Sequence, residues 1–276
     1  MTIIPLEDTA LSEKMKSIRG LLEDRSVLVA FSGGVDSSVL LLLAKKFCKK
    51  VVAVTVDSII FALDEIEEAR VFAENLNVKH IIVKVDSLKD PNFVSNPVNR
   101  CYYCKKQILE KLEEVARVED CDLIVDGTNV SDVEGDFRPG IQALRERGVL
   151  SPFAEAGVTK EEVRVLALNF GLKNIAEMPS STCLASRIPY GSKITEEKLK
   201  RIGQAEKFIK EVARIQVLRV RDHEGLARIE VGKDEREKLF NIELLEKIVD
   251  KLKNLGFNYM CFDIEGYKTG SLNPVL

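Results

Sequence analysis

The sequence predicts a doubly wound parallel α/β sheet followed by a small α+β unit, and three observations carry the prediction. First, four short Val/Ile-rich runs, 26–31, 50–56, 80–85 and 122–125, alternate with stretches at helical spacing, 37–47, 64–76 and 105–118. Continuous apolar runs of this length suit strands buried on both faces. Second, three of the runs end in polar or glycine-bearing turns: Ser32-Gly33-Gly34, Asp57-Ser58 and Asp126-Gly127-Thr128-Asn129. Ligands of open parallel sheets gather at such strand ends. Third, the character changes after Ile188-Pro189-Tyr190-Gly191, where charged helical stretches surround two alternating runs. A boundary is therefore expected between residues 1–190, holding the sheet, and 191–276, the smaller unit.

In the first element an apolar strand gives way at Ser32-Gly33-Gly34-Val35-Asp36-Ser37-Ser38 to an apolar helix. Adjacent glycines let the backbone turn sharply and approach a bound group. The helix start offers unpaired N–H groups and its positive dipole end to an anion, and Ser32, Ser37 and Ser38 add hydroxyls. A pyrophosphate suits this arrangement. No lysine follows the second glycine, so the turn is not a Gly-Lys-Ser/Thr phosphate loop. It resembles the PP-loop of ATP pyrophosphatases (adenine nucleotide alpha hydrolase-like proteins), which split ATP into AMP and pyrophosphate. Asp36 would be repelled by phosphate unless a cation intervened, which points to Mg2+; a first-turn Asp favouring the helix dipole is the compatible alternative.

Further on, Ser151-Pro152 leads to Thr159-Lys160-Glu161-Glu162-Val163-Arg164. Thr159 with Glu162 reads as a capping box, and Gly171 as the helix stop. This segment is also similar to NAD and GMP synthetases. The smaller unit is expected to hold a helix over 195–213, strands over 216–221 and 227–231, a helix over 234–255 and a last strand over 258–264.

Composition bounds the partners. The chain has 276 residues, 45% hydrophobic and 31% charged, with a net charge of −3. No global basic field calls for nucleic acid, and no apolar run approaches the roughly 20 residues of a membrane span. The opening residues lack a basic region followed by a long apolar core, so no secretory signal is expected and the cytoplasm is. Of six cysteines, Cys48, Cys121 and Cys261 lie in apolar runs and read as small buried hydrophobes.

Cys101 and Cys104 stand apart, in Asn96-Pro97-Val98-Asn99-Arg100-Cys101-Tyr102-Tyr103-Cys104-Lys105-Lys106. The three-residue step puts both sulfurs on one face of a helix. A redox pair, half a zinc site and two buried cysteines all remain open. Cys183 sits in Pro179-Ser180-Ser181-Thr182-Cys183-Leu184-Ala185-Ser186-Arg187, among hydroxyls and an arginine that would favour a thiolate. Three soft thiolates would suit an iron–sulfur cluster with one iron left open.

The PP-loop, the Asn-Pro-x-x-Arg-Cys-Tyr-x-Cys-Lys segment, the Cys-Leu-Ala-Ser-Arg-Ile-Pro-Tyr-Gly segment and the Leu-Arg-Val-Arg-Asp-His segment together resemble the LarE family. That family inserts sulfur into the pyridinium dicarboxylate mononucleotide precursor of the nickel-pincer nucleotide cofactor. The likeness runs from about residue 12 to residue 272. It implies that ATP activates a carboxylate as an acyl-adenylate and that a sulfur nucleophile displaces AMP. Family members either sacrifice the sulfur of a cysteine matched here by Cys183, or hold a [4Fe–4S] cluster on three cysteines, matched by Cys101, Cys104 and Cys183. The resemblance thus implies ATP, Mg2+ and the cluster as cofactors.

By the same resemblance Ser32, Gly33, Gly34, Asp36, Ser37 and Ser38 hold pyrophosphate, and Asp57 and Ser58 lie near the adenosine. Thr128 and Asn129 close the nucleotide site. Arg187, Arg219 and Arg221 bind the phosphate of a small nucleotide substrate, with Glu230 and Asp263 ordering the site, and the chain is a homo-oligomer. Asp36 and Cys183 are the residues expected to carry the chemistry. The rivals are a PP-loop tRNA thiolase using the same cysteines, an ammonia-using synthetase and a nucleotide sensor without turnover.

Overall fold

The computed structural model describes residues 9–61, 64–133, 138–179, 182–268, 270 and 272. By internal contacts the chain forms two units. One comprises Met1–Ser58, Leu63–Val85 and Cys101–Ser180; the other comprises Ile59–Ala62, Asp86–Arg100 and Ser181–Leu276.

The first unit is built on four parallel strands, β1 (Ser26–Ala30), β2 (Lys50–Asp57), β3 (Lys79–Lys84) and β4 (Leu123–Val125), in the order β3-β2-β1-β4. Its helices are α1 (Thr9–Leu22), α2 (Val35–Phe47), α3 (Asp64–Asn75), α4 (Arg100–Val118), α5 (Pro139–Glu146) and α6 (Lys160–Asn169). Successive strand residues point to opposite faces, and each face has its own core. Val27, Val29 and Ala53 pack with Ile18, Leu40, Ala69 and Leu166 of α1, α2, α3 and α6. Leu28, Val52 and Val54 pack with Leu109 and Leu112 of α4 and Leu144 of α5. Helices therefore cover both faces, which is why the strands read as unbroken apolar runs. The sequence-predicted doubly wound α/β sheet is present.

From β1 the chain departs through α2 towards β2, while β4 lies on the other flank of β1. The strand order reverses between β1 and β4, and open α/β sheets bind ligands at that crevice. α2 is almost wholly buried from Val35 to Ala44, a core helix that cannot shift without opening the sheet. The predicted capping box of α6 is present: Thr159 Oγ1 accepts from Glu162 N–H at 3.3 Å, and Thr159 N–H donates to Glu162 Oε2 at 2.8 Å. Glu162 also accepts from Lys14 of α1 at 2.6 Å.

The second unit holds β5 (Leu218–His223) antiparallel to β6 (Leu226–Val231), which pairs in parallel with β7 (Tyr259–Phe262). Its long helices are α7 (Glu196–Ala213) and α8 (Ile242–Asn254). The helix expected over 234–255 is broken: residues Lys233–Leu239 form a 3-10 segment, and α8 starts afresh. Asn241 causes the break, because its side chain accepts from Leu244 N–H at 3.0 Å and so caps a new helix. Two buried polar anchors fix the unit. Asp222, fully buried, takes both Arg201 Nε at 2.6 Å and Nη2 at 2.9 Å. Asn96, buried with φ +55, donates to the carbonyls of Ile188, Pro189 and Ser192 and accepts from Arg100. Among the described residues no helix is long and apolar enough to cross a membrane.

Candidate active site

Phe31 N–H still reaches Val54 O at 2.9 Å, so Ser32 is the first residue released from the sheet. Gly33 follows with φ +79, a left-handed conformation that favours glycine. Gly34 is different. Its backbone is extended, and a Cβ there would meet only Ser32 Oγ at 3.5 Å, so its missing side chain leaves room above the loop. Ser38 N–H makes the first α2 bond, to Gly34 O at 3.0 Å. The N–H groups of Val35, Asp36 and Ser37 thus have no partner inside the helix and lie at its positive end. Ser37 Oγ donates to Gly34 O at 3.1 Å and Ser38 Oγ to Gly33 O at 3.2 Å, so both predicted hydroxyls shape the loop from beneath.

Asp36 projects from the first turn of α2 and is held from two sides. Lys160 Nζ, on the first residue of α6, pairs with Oδ2. Asn129 Nδ2, fully buried, donates to Oδ1 at 3.1 Å. The β4 loop that carries Asn129 is organised by buried Asp126, which accepts from Thr128 N–H, Thr128 Oγ1 and Ser151 Oγ at 3.2, 2.8 and 2.7 Å. Gly127 lets this loop lie against α2: a Cβ there would stand 2.9 Å from Ser37 N and 3.0 Å from Asp36 Cβ. Burial pushes the nearby Asp132 carboxyl up, against the opposing hydrogen bond from Asn129 N–H.

At the end of β2, Asp57 is half-buried, while Ser58 Oγ is buried without a hydrogen-bond partner. An orphaned hydroxyl of this kind costs free energy unless a ligand or water satisfies it. Thr55 Oγ1 gives its one proton to Phe31 O at 2.7 Å, so His80 Nε2, 2.7 Å away, donates to Thr55. The carbonyl at the mouth of the loop is thereby fixed. The donor set fits a nucleotide with Mg2+: helix N–H groups and Lys160 for phosphate oxygens, Asp36 for the cation, Ser58 for a further polar edge.

Sequence reasoning found Ser32, Gly33, Gly34, Asp36, Ser37, Ser38, Thr128 and Asn129, and the structure groups them around one crevice. It quoted Asp126 in a strand-end turn, and Ser151 and Lys160 in the segment similar to NAD and GMP synthetases, but gave none of the three a role at the site. The capping box at Thr159 was the available signal for Lys160, since it places that lysine on the first turn of α6.

In the second unit Arg187, Arg219 and Arg221 are all buried, at 3%, 5% and 5% exposure, so β5 does not show a solvated face. Arg187 grips Glu206 bidentately at 2.9 and 3.0 Å. Burial works against the Arg187 charge, but Glu206 outweighs it and the guanidinium is held more firmly protonated. Arg221 donates to Glu230 at 2.7 Å, and Arg228 joins the same carboxylate at 2.9 Å. Arg219 stacks over Tyr267 at 5.0 Å; burial, then the nearby Arg187, push its pKa down. Four guanidiniums thus face Glu206, Glu230 and Asp263, and Arg228 Nε is buried without a hydrogen bond. Surplus positive charge and an orphaned donor fit an anionic group.

The cysteines divide between the units. Cys101, exposed, and Cys104, half-buried, occupy the first turn of α4 in the first unit. Cys183, half-buried, heads the 3-10 turn Leu184–Arg187 in the second; the neighbouring Ser180 and Ser181 lie outside the described residues. Within neither unit, among the described residues, are three or more His, Cys, Asp or Glu side chains grouped to hold a metal ion.

A Ser-Gly-Gly-x-Asp-Ser turn between β1 and α2, at the switch point of a doubly wound sheet, defines an α/β protein of the PP-loop class. Residues 26–97 match the family described as Queuosine biosynthesis protein QueC. The chain is 32% identical to pyridinium-3,5-bisthiocarboxylic acid mononucleotide synthase of Lactiplantibacillus plantarum, over 97% of this chain and 96% of that one. It is 37% identical to the uncharacterized protein slr1717 of Synechocystis, over 96% and 99%. A 31% identity to a component of the glutamine-hydrolyzing GMP synthase from Methanococcus maripaludis covers 73% of this chain and 68% of the relative. The chain belongs to the LarE family, that of the Lactiplantibacillus synthase.

Proposed function

We propose that this protein is an ATP-dependent sulfurtransferase that converts a carboxylate of a pyridinium-3,5-dicarboxylate mononucleotide to a thiocarboxylate. The observation that carries the reading is the near end-to-end likeness to a relative named for synthesis of the bisthiocarboxylic acid mononucleotide. The first unit binds ATP, with α2 N–H groups and Lys160 on phosphate oxygens and Asp36 on Mg2+. The substrate carboxylate attacks the α-phosphorus, the bond to pyrophosphate breaks, and an acyl-adenylate forms. A sulfur nucleophile then attacks the acyl carbon, and AMP leaves. Splitting one hard substitution into two easier ones is the usual gain of an activated intermediate. Arg219 and Arg221 hold the substrate's phosphate, with Glu230 fixing Arg221.

Cys101 and Cys104 offer two soft thiols one helical turn apart, a donor pair that fits iron–sulfur ligation, with Cys183 as the third ligand. Held by these thiolates, a [4Fe–4S] cluster would supply sulfide-level sulfur for delivery. Iron and acid-labile sulfide, measured on anaerobically purified protein and on Cys101→Ala, test this: full cluster content in the variant ends the three-thiolate assignment. Conversion of Cys183 to dehydroalanine, seen by mass spectrometry after turnover, would make the protein its own sulfur source instead. The function itself is tested by pyrophosphate release with ATP, Mg2+ and the dicarboxylated nucleotide. Absence of release, or release with tRNA alone, overturns it.

A further inference from the structure

The backbone that carries Cys183 is fastened at several points within its own unit. Leu184 N–H donates to Ile60 O at 2.7 Å. The Cys183 carbonyl accepts from Ser186 N–H at 3.0 Å and from Arg187 Nη1 at 3.1 Å. The same Nη1 faces Thr182 O at 2.9 Å, Thr182 Oγ1 at 2.6 Å and Ser186 Oγ at 2.8 Å. One edge of the Arg187 guanidinium therefore holds the turn while the other edge lies on Glu206. Glu206 Oε1 in turn accepts Val220 N–H at 2.9 Å. β5 is the outer strand of its sheet, and this amide, between Arg219 and Arg221, finds in Glu206 a partner that no further strand supplies. Arg221 closes the circuit by donating to Ser186 O at 2.9 Å.

We infer that Arg187 and Glu206 are positioning residues, not phosphate ligands: together they fix the Cys183 turn on the strand that carries Arg219 and Arg221. A planar guanidinium can serve a carboxylate and a run of carbonyls at once, one edge for each. Lysine keeps the charge but cannot span both. Sulfur transfer needs its nucleophile and acyl carbon held in register, and misplacement by about 1 Å can cost roughly 100-fold. The inference rests on the proposed function for what Cys183 delivers, and on geometry alone for what holds it.

Two measurements on the full chain separate the possibilities. In the resting protein, iodoacetamide labelling of Cys183, followed by peptide mass mapping, should change rate by about tenfold or more in Arg187→Lys and Glu206→Gln. Cys261, expected from sequence to be buried, is exposed on β7, and its labelling should stay as in the parent. During turnover, the yield of thiocarboxylate per pyrophosphate should fall by about tenfold or more in Arg187→Lys, with KM for ATP unchanged. If Arg187 instead grips phosphate, KM for the nucleotide substrate rises and the yield per pyrophosphate holds; that result overturns the inference. A purely structural role lowers both steps together with the folded fraction, and also overturns it. Should the single variants unfold from an unpaired buried charge, Arg187→Met/Glu206→Leu removes both charges at once and keeps the packing. The labelling arm stands even if the parent releases no pyrophosphate, so failure of the positioning role and failure of the proposed function are told apart.

Discussion

Gly127→Ala tests whether the β4 loop and α2 work as one nucleotide site. The new methyl would stand 2.9 Å from Ser37 N and 3.0 Å from both the carbonyl carbon and the Cβ of Asp36. Ordinary contact begins near 3.4 Å, so the loop and helix must part by about half an ångström. Two of the opposing atoms are backbone of a buried helix, which leaves no flexible side chain to swing aside. Overpacking of this kind costs about 1–3 kcal/mol. The same displacement stretches the Asn129–Asp36 bond from 3.1 Å to about 3.6 Å, past hydrogen-bonding distance. Loss of a bond to a charged group adds about 1.5–3 kcal/mol to the penalty in the bound state, or tenfold or more in affinity by roughly 1.4 kcal/mol per decade. Thermal melting with and without ATP·Mg2+, together with equilibrium dialysis of ATP, measures both. The expected result is a melting temperature lower by roughly 5 °C and ATP binding weaker by about tenfold or more. Parental affinity at a parental melting temperature would refute the assignment of this crevice to the nucleotide.

Other perturbations follow from the same contacts. Gly20→Ala places a methyl on an exposed turn of α1 with nothing within 4 Å, so it should stabilise by about 0.5–1 kcal/mol; a lower melting temperature would contradict that. Asp222→Asn leaves Arg201 without its buried carboxylate and should cost about 3–5 kcal/mol, lowering the melting temperature by roughly 10 °C while ATP affinity stays parental. Both histidines are held below the ordinary imidazole value of 6.5, His80 by burial first and then Arg70, His223 by burial first and then Arg228. The fold therefore prefers them neutral, and their contribution is complete above that value and lost as pH falls through and below it. The urea midpoint should decline between about pH 7 and pH 5.5 in the parent and decline less in His80→Gln/His223→Gln; an identical slope in both would be the contrary result.

What could be read from sequence was local. Continuous apolar runs announced strands with helices on both faces, and Val27 and Leu28 show why, since neighbours in one strand serve different cores. The Thr159–Glu162 capping box lies within four residues and was legible for that reason. Asn241 was not, because the charged run before it keeps helical spacing and hides the cap. Contacts made across the chain were also invisible: Lys160 meets Asp36 from 124 residues away, and Asn96 meets Pro189 from 93. The alternation of Arg219 and Arg221 pointed to a shared face, but their burial depends on Glu206 and Glu230, which lie on other elements.

The division of the chain has a consequence for its biogenesis. The second unit takes residues 59–62 and 86–100 from the middle of the first unit's sequence, so the polypeptide passes between units five times. While the chain emerges from the ribosome, Asn96 must wait about 90 residues for the carbonyls it anchors. Neither unit can be cut out as a cassette, and a graft of the C-terminal part onto another nucleotide-binding domain would leave those early segments behind.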